Sequence, residues 1–576
     1  MAKMTAMEAA CQVMESEGVE FAFGVPGAAI LPLYKALEKS RIKHLTMRHE
    51  EGATHAAEGI SRATGKVGVA IGTSGPAGTN MVTGLYTAMA DSIPLVTITG
   101  QVVRSQLHRE GFQAVDIVSI VKPVTKKAYL VMEPAQVPYV FREAFRIARE
   151  GRPGPVHIDL PLDVQKAIIE YDPEADQPLQ VFKPSPSLKA VEKAVEMILA
   201  AESPLILAGG GIITAEVSGL LVQLAEHLQV PVSPTLMGWG SIPADHPLYA
   251  GRVGIQTNNR AGNQVFLESD LVVALTARFA ERHTGALDVY TKGRKFIQVD
   301  IDPTQIGKIL QPDLGIVSDI GEALKALITA ARAKTPARKA GAWVARVQEH
   351  QRTLTRRTDF DDVPIKAPRV FGEINEYFGK DTVFVTAIGL YQIESGQFQQ
   401  VYKPRHYLCC GQAGPLGWEI PACIGVKKAL PDKQVVGVVG DYSFQFLMEE
   451  VAVAAQYQVP YVLIMLNNTN LGLIRQAEKI GYDMRFAIDL GFGENAQGVD
   501  FVKAMQAMGG DGCAVTRPEE LRSAFAWAVE KSASIKAPVL VEVRIEKDNL
   551  VAMGPSLDKI KESHPLPEVL VASTVR

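Results

Sequence analysis

An α/β protein of three doubly wound parallel-sheet domains is what this sequence predicts, and three observations carry the prediction. Ten apolar, β-branched runs recur along 576 residues without polar alternation. Strands buried on both faces of a parallel sheet read this way. The stretches between the runs have helical length and patterning. Two stretches then interrupt the alternation: the polar, Pro-rich YDPEADQPLQVFKPSPS (171–187), and residues 333–369, a basic helix-like segment followed by TDFDDVPIKAPRV with two prolines. Such stretches read as linkers. Cutting there predicts units at about 1–170, 188–335 and 365–550, with a tail at 551–576. A chain this long exceeds a single core.

In chain order, VGVAI (67–71), IPLVTIT (93–99) and PVHIDL (155–160) are the predicted strands of the first unit. PLILAG (204–209), LVVALTA (271–277) and KFIQVDI (295–301) belong to the second. TVFVTAI (382–388), QVVGVVG (434–440), YVLIMLN (461–467) and PVLVEVRI (538–545) belong to the third. The similar size of the units hints at duplication.

Composition narrows the function classes. A net charge of −4, with 47% hydrophobic and 21% charged residues, gives no basic surface for nucleic acid or anionic membrane. No apolar run is long enough for a membrane span. The start, MAKMTAMEAACQVMESEG, does not read as a targeting segment. Five irregularly spaced cysteines fit a reducing compartment. The expected location is the cytoplasm.

In open parallel sheets ligands sit beyond the carboxyl ends of strands. Two runs of the third unit end suggestively. One closes in Gly440-Asp441, and another, 27 positions after Asp441, closes in Asn467-Asn468. An ionised carboxylate and an amide oxygen are hard ligands suited to Mg²⁺. The backbone carbonyl of Asn470 would complete the protein's share. Mg²⁺ takes few protein ligands and favours phosphate oxygens, so the pair implies a diphosphate. Backbone N–H groups of Tyr442 and Ser443 are candidates to hold that anion. Either piece alone reads equally as a helix cap or a turn. Gly510-Asp511-Gly512 illustrates this, because Pro538 stands 27 positions after Asp511.

This pair resembles the signature of thiamine diphosphate enzymes. FGVPGAAILPLY (23–34), RHEEGATHAAEGISRATG (48–65), GTSGPAGTN (72–80) and FQAVDI (112–117) resemble the pyrimidine-binding domain of the acetolactate synthase group. The central unit is similar to that group's FAD-carrying domain, and the third to its diphosphate domain. Within the group, SPTLMGWGSIPADH (233–246), ARFAERHTGAL (277–287), CGQAGPLGW (410–418) and NNTNLGLIRQ (467–476) resemble the glyoxylate carboligase branch. One position departs from it: that branch carries Val where this chain has Glu50.

The resemblance implies thiamine diphosphate, Mg²⁺ and FAD as cofactors, and small 2-oxo acids and aldehydes as substrates. The implied reaction joins two glyoxylates, with loss of CO₂, into tartronate semialdehyde. Acetolactate synthesis from pyruvate and flavin-dependent oxidation of 2-oxo acids are the rival readings. Glu50 is the implied partner of the cofactor's pyrimidine. Gly27, Gln113 and Phe112 are implied near the reacting carbon, and Leu416 as the wedge that bends the cofactor. Ile388, Gly389, Leu390 and Tyr391 join Gly440 as implied cofactor contacts. FAD contacts are implied at Arg152, Gly209, Gly210, Gly211, Thr235, Leu236, Arg278, Arg282, Asp300, Ile301, Gln305 and Asp319. In this family the first unit of one chain faces the third unit of another, so a homodimer is the expected minimum and a tetramer the expected assembly.

Overall fold

The computed structural model describes residues 2–493, 496 and 498–564. Three open sheets organise the chain, and every strand pair within them is parallel. The first contains Phe21–Gly24, Lys43–Thr46, Gly68–Gly72, Leu95–Gln101, Lys127–Leu130 and Pro155–Pro161. The second contains Pro204–Ala208, Val232–Pro234, Leu271–Leu275, Lys295–Asp300 and Leu314–Val317. The third contains Val383–Thr386, Tyr407–Cys409, Val435–Gly440, Val462–Asn467, Asp511–Val515 and Val539–Arg544. Numbered in chain order within each unit, the strands of the first and third sheets lie in the order 2-1-3-4-6-5, and those of the second in the order 2-1-3-4-5. The chain therefore reverses its direction of progress between strands 1 and 3 in all three units. A small antiparallel ribbon joins Ala2–Thr5 to Ile168–Tyr171.

All ten predicted runs are strands, and all lose water on both faces. In the third sheet Val383 and Val385 enter one core while Phe384 enters another. Nine strands escaped the sequence reading, and six of them are the outer strands of the three sheets. An edge strand pairs on one side only and is short, so its apolar run is brief. Gly510-Asp511-Gly512 falls at the amino end of its strand, opposite the end where Asp441 lies.

The first and third units share one core within the chain. Helix Glu50–Thr64 crosses helix Glu419–Ala429 at glycines. A Cβ on Gly59 would sit 2.5 Å from Ala422 O, and one on Gly425 would sit 1.9 Å from Ala56 O. Glu450 of the third unit reaches across to the first unit, where it accepts from the backbone N–H groups of Arg48 and His49 at 3.1 and 3.0 Å. Those amides immediately precede Glu50. The C-terminal segment runs back over the central unit, where Glu562 pairs with Arg356 at 2.7 Å and Arg260 at 3.3 Å. Residues 565–576 of the expected tail lie outside the described residues. Among the described residues no helix is long and apolar enough to cross a membrane.

The glycine crossing yields a stability prediction. Gly425→Ala overpacks the helix interface and should cost ~1–3 kcal/mol, read as a lowered thermal unfolding midpoint. Gly219→Ala, where an added Cβ meets nothing within 4 Å, should leave the midpoint unchanged or raise it.

Candidate functional site

The reversal of the third sheet opens a cavity of about 400 Å³. Val435–Gly440 and Val462–Asn467 are adjacent and parallel, with Gly440 opposite Leu466. Asp441 and Asn468 therefore emerge side by side at the carboxyl ends of neighbouring strands, and both line the cavity. Ile388, Gly389, Leu390, Tyr391, Leu416, Gly440, Tyr442, Ser443 and Asn470 line it as well. Every residue that the sequence assigned to the diphosphate end is thus brought together.

Local chemistry explains which groups face inward. Side chains alternate along a strand, so Asn467 and Asn468 point apart. Asn467 Nδ2 donates to Glu542 Oε1 at 2.8 Å, tying it to the next strand. Asn470 Nδ2 donates to the carbonyls of Asn468 and Lys547 at 3.1 and 2.8 Å, while its Oδ1 is buried without a partner. Gly389 adopts φ 152° and ψ −177°, a region essentially closed to residues with a Cβ. It opens helix Leu390–Phe398, whose first turn has no side-chain cap. An uncapped helix start turns free amides toward an anion.

Burial pushes Asp441 up to about 7. A cation beside it would reverse that shift. Among the described residues no group of three or more His, Cys, Asp or Glu side chains could hold a metal. A cation at Asp441 therefore draws on amide and carbonyl oxygens and on those of a ligand. One expectation needs correction. The Tyr442 N–H is not free for an anion, because it donates to Asp441 Oδ1 at 3.0 Å.

The loop bearing Leu416 is held at one end by Asp91, which the sequence reading missed, and at the other by Ser443. Asp91 accepts from the Gly411 and Gln412 N–H groups at 2.8 and 3.1 Å. Ser443 Oγ accepts from the Gly417 N–H at 2.9 Å and lies 3.1 Å from both oxygens of buried Glu419. Tyr391 donates its hydroxyl to the same Glu419. Burial pushes Glu419 up to about 7. A second missed acid, Glu394, lines the cavity and accepts from Asn549. Its other oxygen is buried without a partner, and burial pushes it up to about 8.

The first-unit candidates form a separate group. Glu50 starts helix Glu50–Thr64 and accepts from Asn80 Nδ2 at 2.9 Å. A Cβ on Gly27 would meet Thr73 Cβ at 2.5 Å, so packing against Thr73 demands a glycine there. Gln113 sits at φ 57°, and Phe112 beside it is 86% exposed. These residues gather at the carboxyl ends of Phe21–Gly24 and Gly68–Gly72, the reversal of the first sheet. None of them lines the third-unit cavity of the same chain.

The second sheet's reversal carries a cleft with two connected parts. One is lined by Arg152, Gly210, Gly211, Arg278, Asp300, Ile301, Gln305 and Asp319. The other is lined by Gly210, Thr235, Leu236, Arg278 and Arg282, and by Gln392 and Gln412 from the third unit. Gly209 lines neither. A Cβ there would sit 2.2 Å from Thr276 O, so strand packing requires that glycine. Asp319 caps helix Ile320–Lys334, accepting from the Gly321 and Glu322 N–H groups. Arg152 and Arg278 both donate to Ala90 O, at 3.3 and 2.5 Å. Burial and then the like charge of Arg278 hold Arg152 below its usual range. The Thr276 hydroxyl between the two parts is buried without a partner.

Comparison with known proteins follows the same three units. The family description "Thiamine pyrophosphate enzyme, N-terminal TPP binding domain" matches residues 4–120. The central domain of the same family matches 191–327, and its C-terminal TPP binding domain matches 387–543. A glyoxylate carboligase of Escherichia coli O157:H7 is 52% identical over 575 residues, covering 98% of this chain and 96% of that protein. A probable acetolactate synthase large subunit of Methanocaldococcus jannaschii is 37% identical, covering 96% and 94%. An acetolactate synthase large subunit of Corynebacterium glutamicum is 35% identical, covering 95% and 87%.

The buried acids predict a pH dependence of the ligand-free protein. A carboxyl raised from about 4.3 when unfolded to about 8 in the fold, as at Glu394, binds more protons folded than unfolded between those values. Its stabilisation is complete below the lower value and is lost as pH rises through the upper one. Thermal midpoints should therefore fall from pH 5 to pH 8.5, and Glu394→Gln should flatten that fall.

Proposed function

The chain belongs to the thiamine pyrophosphate enzymes, and from that premise we propose a decarboxylating carboligase. Two glyoxylates and one proton give one tartronate semialdehyde and CO₂. The observation that supports this most is Asp441 and Asn468 side by side at a cavity with room for a diphosphate. The identity to a glyoxylate carboligase supports the choice of substrate.

Asp441, Asn468 and the Asn470 carbonyl would hold Mg²⁺, and the uncapped helix start at Leu390 would receive the diphosphate. Thiamine diphosphate supplies, when bound, the electron sink that lets a 2-oxo acid lose CO₂ and its remaining carbon join a second aldehyde. Leu416, on a loop tied down by Asp91 and Ser443, lines the cavity and would be the apolar side chain against which thiamine diphosphate is held. Glu50, oriented by Asn80, would be the carboxyl partner of the cofactor's pyrimidine and would support its proton removal. Gln113 would face the cofactor's reactive end, and Phe112 would shape the acceptor pocket. The Glu50 group does not line the Asp441 cavity of its own chain, and a homodimer with each site built from two chains is the assembly we propose. Exposed Phe112 on the first unit and Ile474 at the rim of the third-unit cavity are apolar surface that such pairing would cover. We assign FAD to the central cleft, where the guanidinium groups of Arg152 and Arg278 would serve its diphosphate. Carboligation moves no electrons to a flavin, so FAD there is structural.

The test is direct. Purified protein with thiamine diphosphate, Mg²⁺ and FAD receives glyoxylate or pyruvate alone. Tartronate semialdehyde and CO₂ from glyoxylate, with little acetolactate from pyruvate, are expected; the reverse preference would assign acetolactate synthesis. For Glu50, Glu50→Gln should slow hydrogen–deuterium exchange at the cofactor's C2 at least about tenfold. Unchanged exchange removes Glu50 from proton handling.

A further inference from the structure

We propose that Phe182 is the stacking platform for the adenine ring of the dinucleotide in the central cleft. This rests on reading that cleft as the FAD site. The linker between the first and central units contributes three successive residues, Val181, Phe182 and Lys183, to the lining of the part that holds Arg152, Asp300 and Gln305. The segment is fastened just beyond them. Pro184 O accepts from the Asp319 N–H at 2.8 Å and from Ser318 Oγ at 3.0 Å. Phe182 is nevertheless 71% exposed. Its backbone is fixed by its neighbour while its ring has little packing of its own. An aromatic ring held at a cavity mouth in this way is placed to receive another flat ring.

The direction of the ligand follows from charge. Arg278, Gly210 and Thr276 line both parts of the cleft, so a diphosphate belongs between them. The part with Phe182 also holds Asp300 at the end of its strand, a carboxylate suited to ribose hydroxyls. The other part abuts Gln392 and Gln412 of the third unit. The adenosine half therefore lies toward the linker, under Phe182, and the second ring system lies toward the third unit. Lys183 adds a cation beside the ring.

The experiment uses flavin-stripped protein titrated with FAD by flavin fluorescence and with ADP by calorimetry. Wild type binding FAD establishes the cleft assignment independently; no FAD binding by wild type removes that assignment and this proposal together. Phe182→Ala should weaken both FAD and ADP about 5- to 100-fold, with its ligand-free thermal midpoint unchanged. Phe182→Trp should keep both affinities, and its indole emission should be quenched by ADP. Wild-type affinities in Phe182→Ala overturn the proposal. A loss confined to FAD, with ADP binding intact, also overturns it, because Phe182 would then act on the other half of the ligand.

Discussion

Each of the three open sheets reverses its strand order between strands 1 and 3, and the candidate sites follow from that constraint. Crossovers between parallel strands keep one hand. The connections leaving strands 1 and 3 must therefore go to opposite faces of the sheet, and nothing fills the gap between them. The first unit places Gly27 and Thr73 at that gap, the central unit Gly209–Gly211 and Thr276, and the third unit Gly389 and Asp441. Three crevices arise from one topological rule applied three times. The shared 2-1-3-4-6-5 order of the outer units agrees with a duplicated origin.

The outer units also pack against each other inside one chain, through the glycine crossing of Glu50–Thr64 with Glu419–Ala429. That packing fixes Glu50 relative to the third unit of its own chain, and Glu450 tightens the link by holding the amides before Glu50. The geometry separates the two halves of the site within a chain while making their relative orientation rigid. Asp91 extends the rigidity to the central unit, since it binds Arg62 at 3.1 Å and the Leu416 loop, with Arg278 at 3.8 Å. The central cleft, the Leu416 loop and the inter-unit core thus meet at one buried carboxylate.

The interior strands were legible because burial on both faces demands an unbroken apolar run. The edges were not, since a strand such as Lys43–Thr46 or Asp511–Val515 carries polar residues with impunity. Asp441 and Asn468 could be read from spacing because two short helices and one strand separate these neighbouring parallel strand ends. The roles expected of Glu50, Leu416 and the central-cleft residues come from family resemblance alone. Glu419, Glu394 and Asp91 left no signal at all. Their partners lie far away in the chain, as with Asp91 and Gly411, and nothing in a lone acid's neighbours announces that it will be buried. The glycines at 27 and 209 were read as ligand approaches, yet their nearest neighbours are Thr73 and Thr276.

One small contact has a thermodynamic corollary. The Tyr442 amide is occupied by the Asp441 carboxylate, so the group that attracts a cation also blocks a donor that an anion needs. A divalent ion that draws the carboxylate to itself releases that amide. An anion that takes the amide releases the carboxylate in turn. Were both bound there, ion and anion would be linked ligands, each raising the other's affinity by the same factor.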